Sequence, residues 1–296
     1  MDEIYLNGKF IKKSDAQISI MDRGFLFGDG VYELIPVYNH KIFLLHKHLE
    51  RLKNSLNLIG MKFIDGLEDT IEKLISINNK KNYFIYLHVT RGQQEQRNHV
   101  YPKSIVPTVL IMCEEYPSYN QEQITAGFSA CVQQDFRWLK SNIKSISLLG
   151  NVLLKNLAHT NGYYETLLIR NNKLTEGSAS NVFTVKDSKI YTPRLSNELL
   201  PGVTRDLLID LLKDNHMKVI ESDISHQDLL VSDEVWCSSS TNAVVPIVRV
   251  GDAVIGSGKT GDISLFAHKI TKEFIRNYKL YKSLIEYNDL YITSFA

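Results

Sequence analysis

The side-chain pattern of residues 82–90 restricts the fold of this chain more than any other stretch. Odd-numbered positions there are Tyr83, Ile85, Leu87 and Val89, and even-numbered positions are Phe84, Tyr86, His88 and Thr90. Successive side chains of a strand point to opposite faces of a sheet, so this alternation predicts a β-strand with two distinct faces. Further strands are predicted at residues 31–35, 106–113 and 163–170.

Helical patterns lie between these strands. Leucine and isoleucine recur at spacings of three and four along residues 45–59, and Gly60 provides a stop. A second amphipathic helix is predicted at residues 67–77, another from Leu149 to Gly162, and a long one at residues 262–287. The chain is therefore predicted to mix α and β structure.

Two glycine-containing segments near the start predict tight backbone. The Asn7-Gly8 dipeptide, between short apolar runs in residues 3–20, predicts a hairpin turn. The segment MDRGFLFGDGVYE, residues 21–33, has three glycines, which indicate close backbone approach or positive φ angles. Their spacing is not that of a dinucleotide-binding fingerprint, so this reading is rejected.

The length of 296 residues predicts about two domains. Residues 114–123, EEYPSYNQEQ, are polar, contain a proline and show no apolar period, which is typical of a linker. We therefore predict an N-terminal domain at residues 1–116, a linker at residues 117–123 and a C-terminal domain at residues 124–296.

Charge and cysteine usage exclude several functional classes. The formal net charge is +1, so neither nucleic acid nor an anionic membrane is an expected partner. The three cysteines are too far apart in sequence for a metal knuckle or a disulfide framework, so no metal site is expected. The polar start MDEIYLNGKF is unlike a secretory signal, and no apolar run is long enough to span a bilayer. A soluble, cytoplasmic protein is expected.

Lys144 is the first candidate for chemistry. It lies among small and apolar neighbours in DFRWLKSNIKSISLLG, residues 135–150. A lysine in a partly dry place loses some preference for its charged form, and its amine can then form a Schiff base with a carbonyl compound such as pyridoxal phosphate. Lys144 can equally be an ordinary lysine that reaches water from the edge of an apolar patch.

Three more segments have candidate polar groups. Glu176 lies at a glycine- and serine-rich corner between two predicted strands, either as a turn residue or as a carboxylate facing a cationic ring nitrogen. Gly202, Val203 and Thr204 precede an amphipathic helix, whose first N–H groups can bind an anion; Thr204 can also be a simple helix cap. Hydroxyls follow one another at residues 238–241, as turn residues or as phosphate donors.

Arginine and histidine side chains in the first half of the chain are candidates for binding a carboxylate or a phosphate. Arg97 and His99 are two residues apart in a loop, so in an extended backbone they point the same way. The planar fork of an arginine suits a carboxylate. Arg51 lies beside the apolar stripe of the first helix. Each of these residues has the alternative of being simply solvated.

Taken together, the motifs resemble those of a known family. The order DRGFLFGDGVYE, HKHLERL, DFRWLKSNIKSISLLGNVL, NNKLTEGSASNVF and LPGVTRD is similar to that of the class IV (fold type IV) pyridoxal-phosphate aminotransferases. The resemblance covers almost the whole chain except about the last dozen residues. It implies an α+β fold of two domains, with a smaller N-terminal α/β sandwich and a larger, barrel-like C-terminal β domain with helices.

The resemblance also implies roles for the candidate residues. Lys144 is the catalytic lysine that holds pyridoxal 5'-phosphate, Glu176 faces the ring nitrogen, and Leu200 packs on the ring. The phosphate is bound by Arg51, Val203, Thr204, Ser239 and Ser240. In this family a loop of a second subunit usually completes the site, which implies a homodimer.

Within the family, the loop VTRGQQEQRNHVYP is most similar to that of the D-amino-acid transaminases. The likeness implies that Tyr32, Arg97 and His99 bind the substrate α-carboxylate, and that the substrates are D-amino acids and 2-oxo acids. Branched-chain L-amino-acid aminotransferases, aminodeoxychorismate lyases and a non-catalytic pyridoxal-phosphate-binding protein remain alternatives. Two departures, Ala179 in the serine-rich corner and Asn242-Ala243, concern the substrate side-chain preference.

Overall fold

The computed structural model describes residues 3–77, 81–115 and 119–292, and for residues 279–292 only the backbone. Its described part contains two β-sheets, one of six strands and one of nine. Helices pack against both sheets. The α+β fold class with two domains is thereby confirmed.

The first sheet is built from the N-terminal part of the chain. Its strands are β1 (Glu3–Leu6), β2 (Lys9–Lys12), β3 (Gly30–Tyr38), β4 (Lys41–Ile42), β5 (Asn82–Thr90) and β6 (Thr108–Glu114). They pair antiparallel in the order β2-β1-β6-β5-β3-β4. The predicted hairpin turn is confirmed, since Asn7 and Gly8 have φ angles of 47° and 90°. Residues 13–15 form a 3-10 turn, so the strands do not extend to residue 20 as expected.

Three helices accompany this sheet: α1 (Arg23–Phe27), α2 (Leu45–Leu58) and α3 (Leu67–Ser76). The predicted alternation of β5 is confirmed, because its Tyr83, Ile85, Leu87 and Val89 are completely buried. The apolar stripe of α2 packs on the same core through Leu52 and Leu56. The apolar face of α2 and the apolar face of β5 therefore bury one another.

The glycines of residues 21–33 show the positive φ angle and the close backbone approach that the sequence predicts. Gly28 has a φ of +67° and ends α1 as its left-handed cap. Gly30 lies so close to β5 that a Cβ there would come within 2.4 Å of the carbonyl oxygen of Val89. Only glycine allows this approach, which brings the start of β3 against β5.

Residues 117 and 118 of the predicted linker lie outside the described residues. The last three linker residues belong to helix α4 (Gln121–Ala126), which has a capping box between Asn120 and Gln123. Strand β7 (Phe128–Gln134) follows, which confirms the strand predicted through Phe128, Ala130 and Val132. The domain boundaries themselves stay a prediction.

The second sheet is formed by the rest of the chain. Besides β7 it contains β8 (Glu165–Arg170), β9 (Lys173–Gly177), β10 (Asn181–Lys186), β11 (Lys189–Pro193), β12 (Val219–Ser222), β13 (Glu234–Ser238), β14 (Val245–Val250) and β15 (Ala253–Val254). The main order is β12-β11-β10-β13-β14-β7-β8-β9, with β15 beside β14. Strand β9, at the end of this order, also contacts β10 and β11, so the sheet curls into an incomplete barrel.

Four helices surround the curled sheet: α5 (Leu149–Thr160), α6 (Val203–Asp214), α7 (His226–Leu230) and α8 (Asp262–Ile292). One core lies under α6 and α8, where the rings of Phe183 and Trp236 stack at a centroid distance of 5.2 Å. A second core fills the inside of the sheet around Leu167 and Val182. Together they fix α6 against the strands that lead to the pocket described below.

Helix α8 also reaches the N-terminal part of the chain. The hydroxyl of Tyr278 accepts a buried hydrogen bond from the backbone N–H of Leu44, at 3.0 Å. Phe43 contacts the rings of both Phe274 and Tyr278. Leu44 is the residue before α2, so the C-terminal helix holds the point where α2 begins.

Candidate active site

A cavity of about 340 Å³ lies between the two sheets. Strand β3 and helix α2 line it from the N-terminal side, and the corner after β9, the start of α6 and the loop after β13 line it from the other. The predicted site residues that line it are Tyr32, Arg51, Lys144, Glu176, Leu200, Val203, Thr204, Ser239 and Ser240. Residues far apart in the sequence are thus brought into one pocket.

The backbone of Lys144 is held by the N-terminal part of the chain. Its carbonyl accepts a hydrogen bond from the N–H of Tyr32 at 3.0 Å, and its own N–H donates to the hydroxyl of Ser55 at 3.2 Å. Two residues further on, the N–H of Ile146 donates to the carbonyl of Gly30 at 3.1 Å. The Lys144 amine lies 4.2 Å from the centre of the Tyr32 ring. Lys144 is therefore fixed by β3 and α2 and points along the aromatic face of Tyr32.

Arg51 is not a solvated arginine. Its Nε and Nη2 donate to the two oxygens of Glu33, each at 2.8 Å, and its Nη1 donates to the carbonyl of Pro201 at 3.1 Å. His48 Nδ1 donates to the same carboxylate at 2.8 Å, because a charged carboxylate can only accept. The guanidinium thus lies within reach of the start of α6 in a fixed orientation.

The electrostatics of this trio follow from burial. Glu33 is completely buried, which alone would raise its pKa, but the charge and hydrogen bonds of Arg51 lower the pKa to about 2. Burial lowers the pKa of His48, and the positive charges of Arg51 and Lys144 act in the same direction. We therefore describe the trio as a neutral histidine, an anionic glutamate and a cationic arginine. Sequence reasoning missed Glu33 and His48.

Glu176 also lines the pocket and is held by three hydrogen-bond donors. Its carboxylate accepts hydrogen bonds from Arg137 at 2.8 Å, from the N–H of Leu200 at 3.0 Å and from Asn181 at 3.4 Å. Burial raises its pKa to about 7, although the charge of Arg137 opposes this. A cationic group placed in the cavity would favour the charged carboxylate further. Glu176 therefore suits a cationic ring nitrogen.

Arg137 is a third residue that sequence reasoning missed. Its guanidinium bridges Glu176 and Asp135, with Nε and Nη2 each 3.0 Å from an Asp135 oxygen. Asp135 also accepts a hydrogen bond from Thr175, next to Glu176 in sequence. The Asp135-x-Arg137 spacing was the available signal, since two residues at this distance can point to the same side.

The start of α6 forms the anion-binding end of the pocket. The helix begins at Val203, and its N-cap residue Gly202 provides no side-chain hydrogen bond, so no side chain of that residue competes for the first N–H groups. A Cβ at position 202 would lie 2.0 Å from Asn181 Oδ1, so only glycine fits there. The first N–H groups of a helix have no acceptor within the helix, and together with Arg51 they suit a phosphate.

Hydroxyl groups from the loop after β13 face the same end. Ser239 and Ser240 line the cavity, and Ser239 is fixed by mutual hydrogen bonds with the backbone of Asn242. Ser238 also lines the cavity, and its buried hydroxyl has no hydrogen-bond partner among the described residues. An unsatisfied buried hydroxyl beside a helix start and an arginine fits an oxygen-rich anionic group. The donor set therefore fits pyridoxal phosphate.

The serine-rich corner is rigid on one side. Ser178 and Ser180 both donate to Glu165, which is 1% exposed and lies in β8. Ala179, between them, lines the cavity without a polar group of its own. The departure of Ala179 from the family pattern thus lies on the pocket wall.

Arg97 and His99 lie elsewhere. Both belong to the described residues, both are exposed in the loop after β5, and neither lines the cavity of its own chain. They do lie together, because the Arg97 guanidinium is 5.0 Å from the ring centre of Phe27 and the His99 ring is 5.2 Å from it. The structure therefore pairs these two residues with each other but not with Lys144.

Neither a metal centre nor a membrane span is found in the part of the chain that the structure describes. No group of three or more histidine, cysteine, aspartate or glutamate side chains is arranged there to hold a metal ion. The helices of those residues include none that is both long and apolar enough to cross a membrane.

Comparison with known protein families gives one extended match. The family model described as amino-transferase class IV matches residues 30–250. Two curated relatives are named D-alanine aminotransferase. The one from Listeria monocytogenes is 38% identical over 277 residues, which cover 92% of this chain and 96% of the relative. The one from Staphylococcus aureus is 35% identical over 95% of this chain and 100% of the relative.

Solved structures show the same fold. A branched-chain amino acid aminotransferase of Escherichia coli superposes with a TM-score of 0.83 at 25% identity, over 90% of this chain and 92% of that one. A second branched-chain amino acid aminotransferase, from T.th. and solved with pyridoxamine 5'-phosphate, also has a TM-score of 0.83, at 24% identity over 92% and 93% of the two chains.

Proposed function

The chain belongs to the class IV aminotransferases, and from this premise we propose that it transfers the amino group of a D-amino acid such as D-alanine to 2-oxoglutarate. The products would be pyruvate and D-glutamate, formed by a ping-pong mechanism because the first product leaves before the second substrate binds. The observation that carries this proposal is the pairing of Arg97 and His99 around Phe27. Relatives named D-alanine aminotransferase support it.

Class IV aminotransferases use pyridoxal 5'-phosphate, which takes up the amino group and withdraws electrons from the substrate α-carbon. In this chain the amine of Lys144 would hold it. The phosphate would be bound by Arg51, the N–H groups of Val203 and Thr204, and the hydroxyls of Ser239 and Ser240. Leu200 would pack on the ring, while Glu176 would receive the ring nitrogen.

Lys144 is proposed as the group that moves the proton of the α-carbon. Its backbone is fixed by Tyr32 and Ser55, so the freed amine can work from one side of the pocket only. An amine that removes the α-proton of the donor, and later adds the α-proton of the new amino acid, from the same side handles amino acids of one hand only. The stereochemistry then depends on which side the substrate carboxylate is held.

Glu176 is proposed to keep a proton on the ring nitrogen. Burial alone disfavours its charge, but Arg137 and the N–H of Leu200 stabilise the carboxylate form. A nearby opposite charge typically changes a pKa by about one to three units. The buried ion pair with Arg137 holds the Glu176 carboxylate in a fixed position, so its negative charge would act on the ring nitrogen and would not be screened by solvent.

The substrate carboxylate is proposed to be bound by Tyr32 together with Arg97 and His99. Tyr32 lines the cavity of its own chain, whereas Arg97 and His99 do not. We propose that a homodimer brings the loop of one subunit to the cavity of the other, so that each site contains all three residues. An arginine and a histidine side by side provide the positive charge of the guanidinium and several N–H donors, which a carboxylate can accept.

The cytoplasm is the proposed compartment. Cys113, Cys131 and Cys237 are all buried in separate strands, where they behave as small apolar residues rather than as a disulfide framework. This arrangement is compatible with reducing conditions.

One set of parallel assays tests the proposal. The purified protein, loaded with pyridoxal phosphate, is given D-alanine, L-leucine or aminodeoxychorismate, the first two with 2-oxoglutarate. D-alanine is expected to be the preferred donor. Transfer from L-leucine alone would refute the D-specific assignment in favour of the branched-chain activity of the E. coli structural neighbour. Pyruvate release from aminodeoxychorismate would indicate a lyase, and the absence of all three activities a non-catalytic cofactor-binding protein.

A further inference from the structure

A buried arginine lies directly beneath the loop that contains Arg97 and His99. Arg23, in α1, is 3% exposed. Its Nη1 donates to the carbonyl of Asn98 at 2.6 Å, and its Nη2 donates to the carbonyl of His99 at 3.0 Å. One guanidinium therefore binds two successive peptide carbonyls in the fixed geometry of a planar fork, which the single nitrogen of a lysine ammonium does not provide.

The guanidinium of Arg23 is itself fixed. Its Nε donates to Asp29 at 2.7 Å, and its Nη1 also donates to the side chain of Gln94 at 2.5 Å. Asp29 accepts a second arginine, Arg91, at 2.8 Å, and Arg91 donates in turn to the carbonyl of Ile59 just after α2. Arg23 is thus connected to the sheet and to α2 rather than to the loop alone.

The ring of Phe27 completes this support from the other side. Its centre lies 4.8 Å from the guanidinium carbon of Arg23, 5.0 Å from that of Arg97 and 5.2 Å from the ring of His99. The electron-rich face of an aromatic ring attracts a guanidinium at such distances. The backbone of the loop is therefore held by Arg23, and the side chains of Arg97 and His99 lie against Phe27.

We propose that Arg23 is a positioning residue for the substrate carboxylate: it sets the backbone of Asn98 and His99 so that the side chains of Arg97 and His99 point in one direction. The inference rests on the proposed function, in which this pair binds the α-carboxylate. Arg23 does not touch the substrate. A displacement of binding groups by about 1 Å can cost about a hundredfold in rate, so a support of this kind has a measurable effect.

Arg23→Lys keeps the positive charge near Asp29 but removes the fork. We expect it to raise the KM for D-alanine and for 2-oxoglutarate by about tenfold to a hundredfold, with a much smaller change in kcat and with the absorbance of the bound cofactor unchanged. The matched control is Arg249→Lys, which makes the same substitution at an exposed arginine of β14 and is expected to leave both constants unchanged.

A double-variant cycle tests whether Arg23 acts through the loop. Arg97→Gln is expected to raise the same KM values, and Arg23→Lys added to it is expected to change them by less than about twofold, because the group being positioned is already gone. Multiplication of the two effects would overturn the inference, since Arg23 would then act elsewhere. An unchanged KM in Arg23→Lys would overturn it as well.

Further measurements separate a positioning role from a failure to fold and from a wrong function. Phe27→Leu leaves the buried Arg23–Asp29 pair intact and is expected to raise KM without a comparable change in kcat. An equal fall of kcat and of cofactor absorbance in both Arg23→Lys and Phe27→Leu would mean that these residues have a structural role only, and would refute the inference. If Arg97→Gln leaves KM unchanged, the proposed carboxylate site itself is wrong. If only Arg97→Gln has an effect, the proposed function stands and the role of Arg23 is refuted.

Discussion

The buried Glu33 carboxylate offers the sharpest quantitative prediction. Glu33→Gln removes one negative charge from a site where Arg51 and His48 both donate to it, while it keeps the size of the side chain. The guanidinium of Arg51 stays buried but loses its counter-charge. We expect a less stable protein at neutral pH.

The magnitude follows from the pKa of the carboxylate. The pKa of Glu33 is lowered from 4.5 to about 2 in the folded chain, because the charge and hydrogen bonds of Arg51 outweigh burial. A difference of about 2.5 units at about 1.4 kcal/mol each gives about 3 kcal/mol. Breaking a buried ion pair by removing one partner costs about 3–5 kcal/mol in other proteins, which agrees.

The pH dependence has a definite sign. Between pH 4.5 and about 2 the unfolded chain binds a proton at Glu33 that the folded chain does not. The stabilisation by Glu33 is therefore complete above pH 4.5 and is lost as the pH falls towards 2. The difference between wild type and Glu33→Gln should be constant from about pH 7 to pH 5 and should shrink below that.

Urea unfolding of the cofactor-free protein, followed by circular dichroism at several pH values, measures this difference without a contribution from cofactor binding. The control is Glu50→Gln, which removes a carboxylate from the exposed side of α2 and should change the unfolding free energy by less than about 0.5 kcal/mol. A Glu33→Gln effect below about 1 kcal/mol at pH 7, or one that does not vary with pH, would contradict the reasoning.

Three further predictions concern the pocket and its support. Lys144→Ala should lose the absorbance of the lysine-bound cofactor and at least about a hundredfold in kcat; full activity in a transamination assay would exclude Lys144 as the proton-transfer group. Glu176→Gln keeps the contact to Arg137 but not the charge. It should lower kcat about tenfold to a thousandfold, which is equivalent to a change of one to three units in the pKa of the ring nitrogen. A kcat within about twofold of the wild-type value, which is about the error of such assays, would refute this role. Tyr278→Phe leaves the N–H of Leu44 buried without its acceptor and should lower the unfolding free energy by about 1–3 kcal/mol in urea, whereas an unchanged value would mean that the contact contributes nothing.

The local periodic patterns predicted much of the fold. The strand at residues 82–90 was predicted with its two distinct faces, and the helix at residues 45–59 with its apolar stripe, because each pattern repeats over several turns or alternations. Helix α4 was not predicted, since its six residues are too short to show an apolar period. The Asn120 to Gln123 spacing of a capping box was the signal that would have found it.

The site was predicted less completely, for a physical reason. Groups that touch a cofactor occur in short motifs, such as the helix start at Val203 or the serines after β13. The residues that hold these groups in place do not occur in such motifs. Glu33 contacts Arg51 from another element, and Arg137 contacts Glu176 although the two are 39 residues apart in the sequence. Such pairs become visible only when the fold brings them together, so the supporting contacts of a pocket escape single-sequence reasoning.

The contact between Leu44 and Tyr278 has a consequence for the order in which the protein forms during its synthesis. The two residues are 234 positions apart, and at about 5–20 residues per second the ribosome delivers Tyr278 roughly 10–50 s after Leu44. The first sheet can fold in that interval, but the start of α2 stays without its C-terminal partner. The start of α2, and with it the face that carries Arg51 and Ser55, therefore gains this contact only after Tyr278 has been made, so we expect cofactor binding to follow that step.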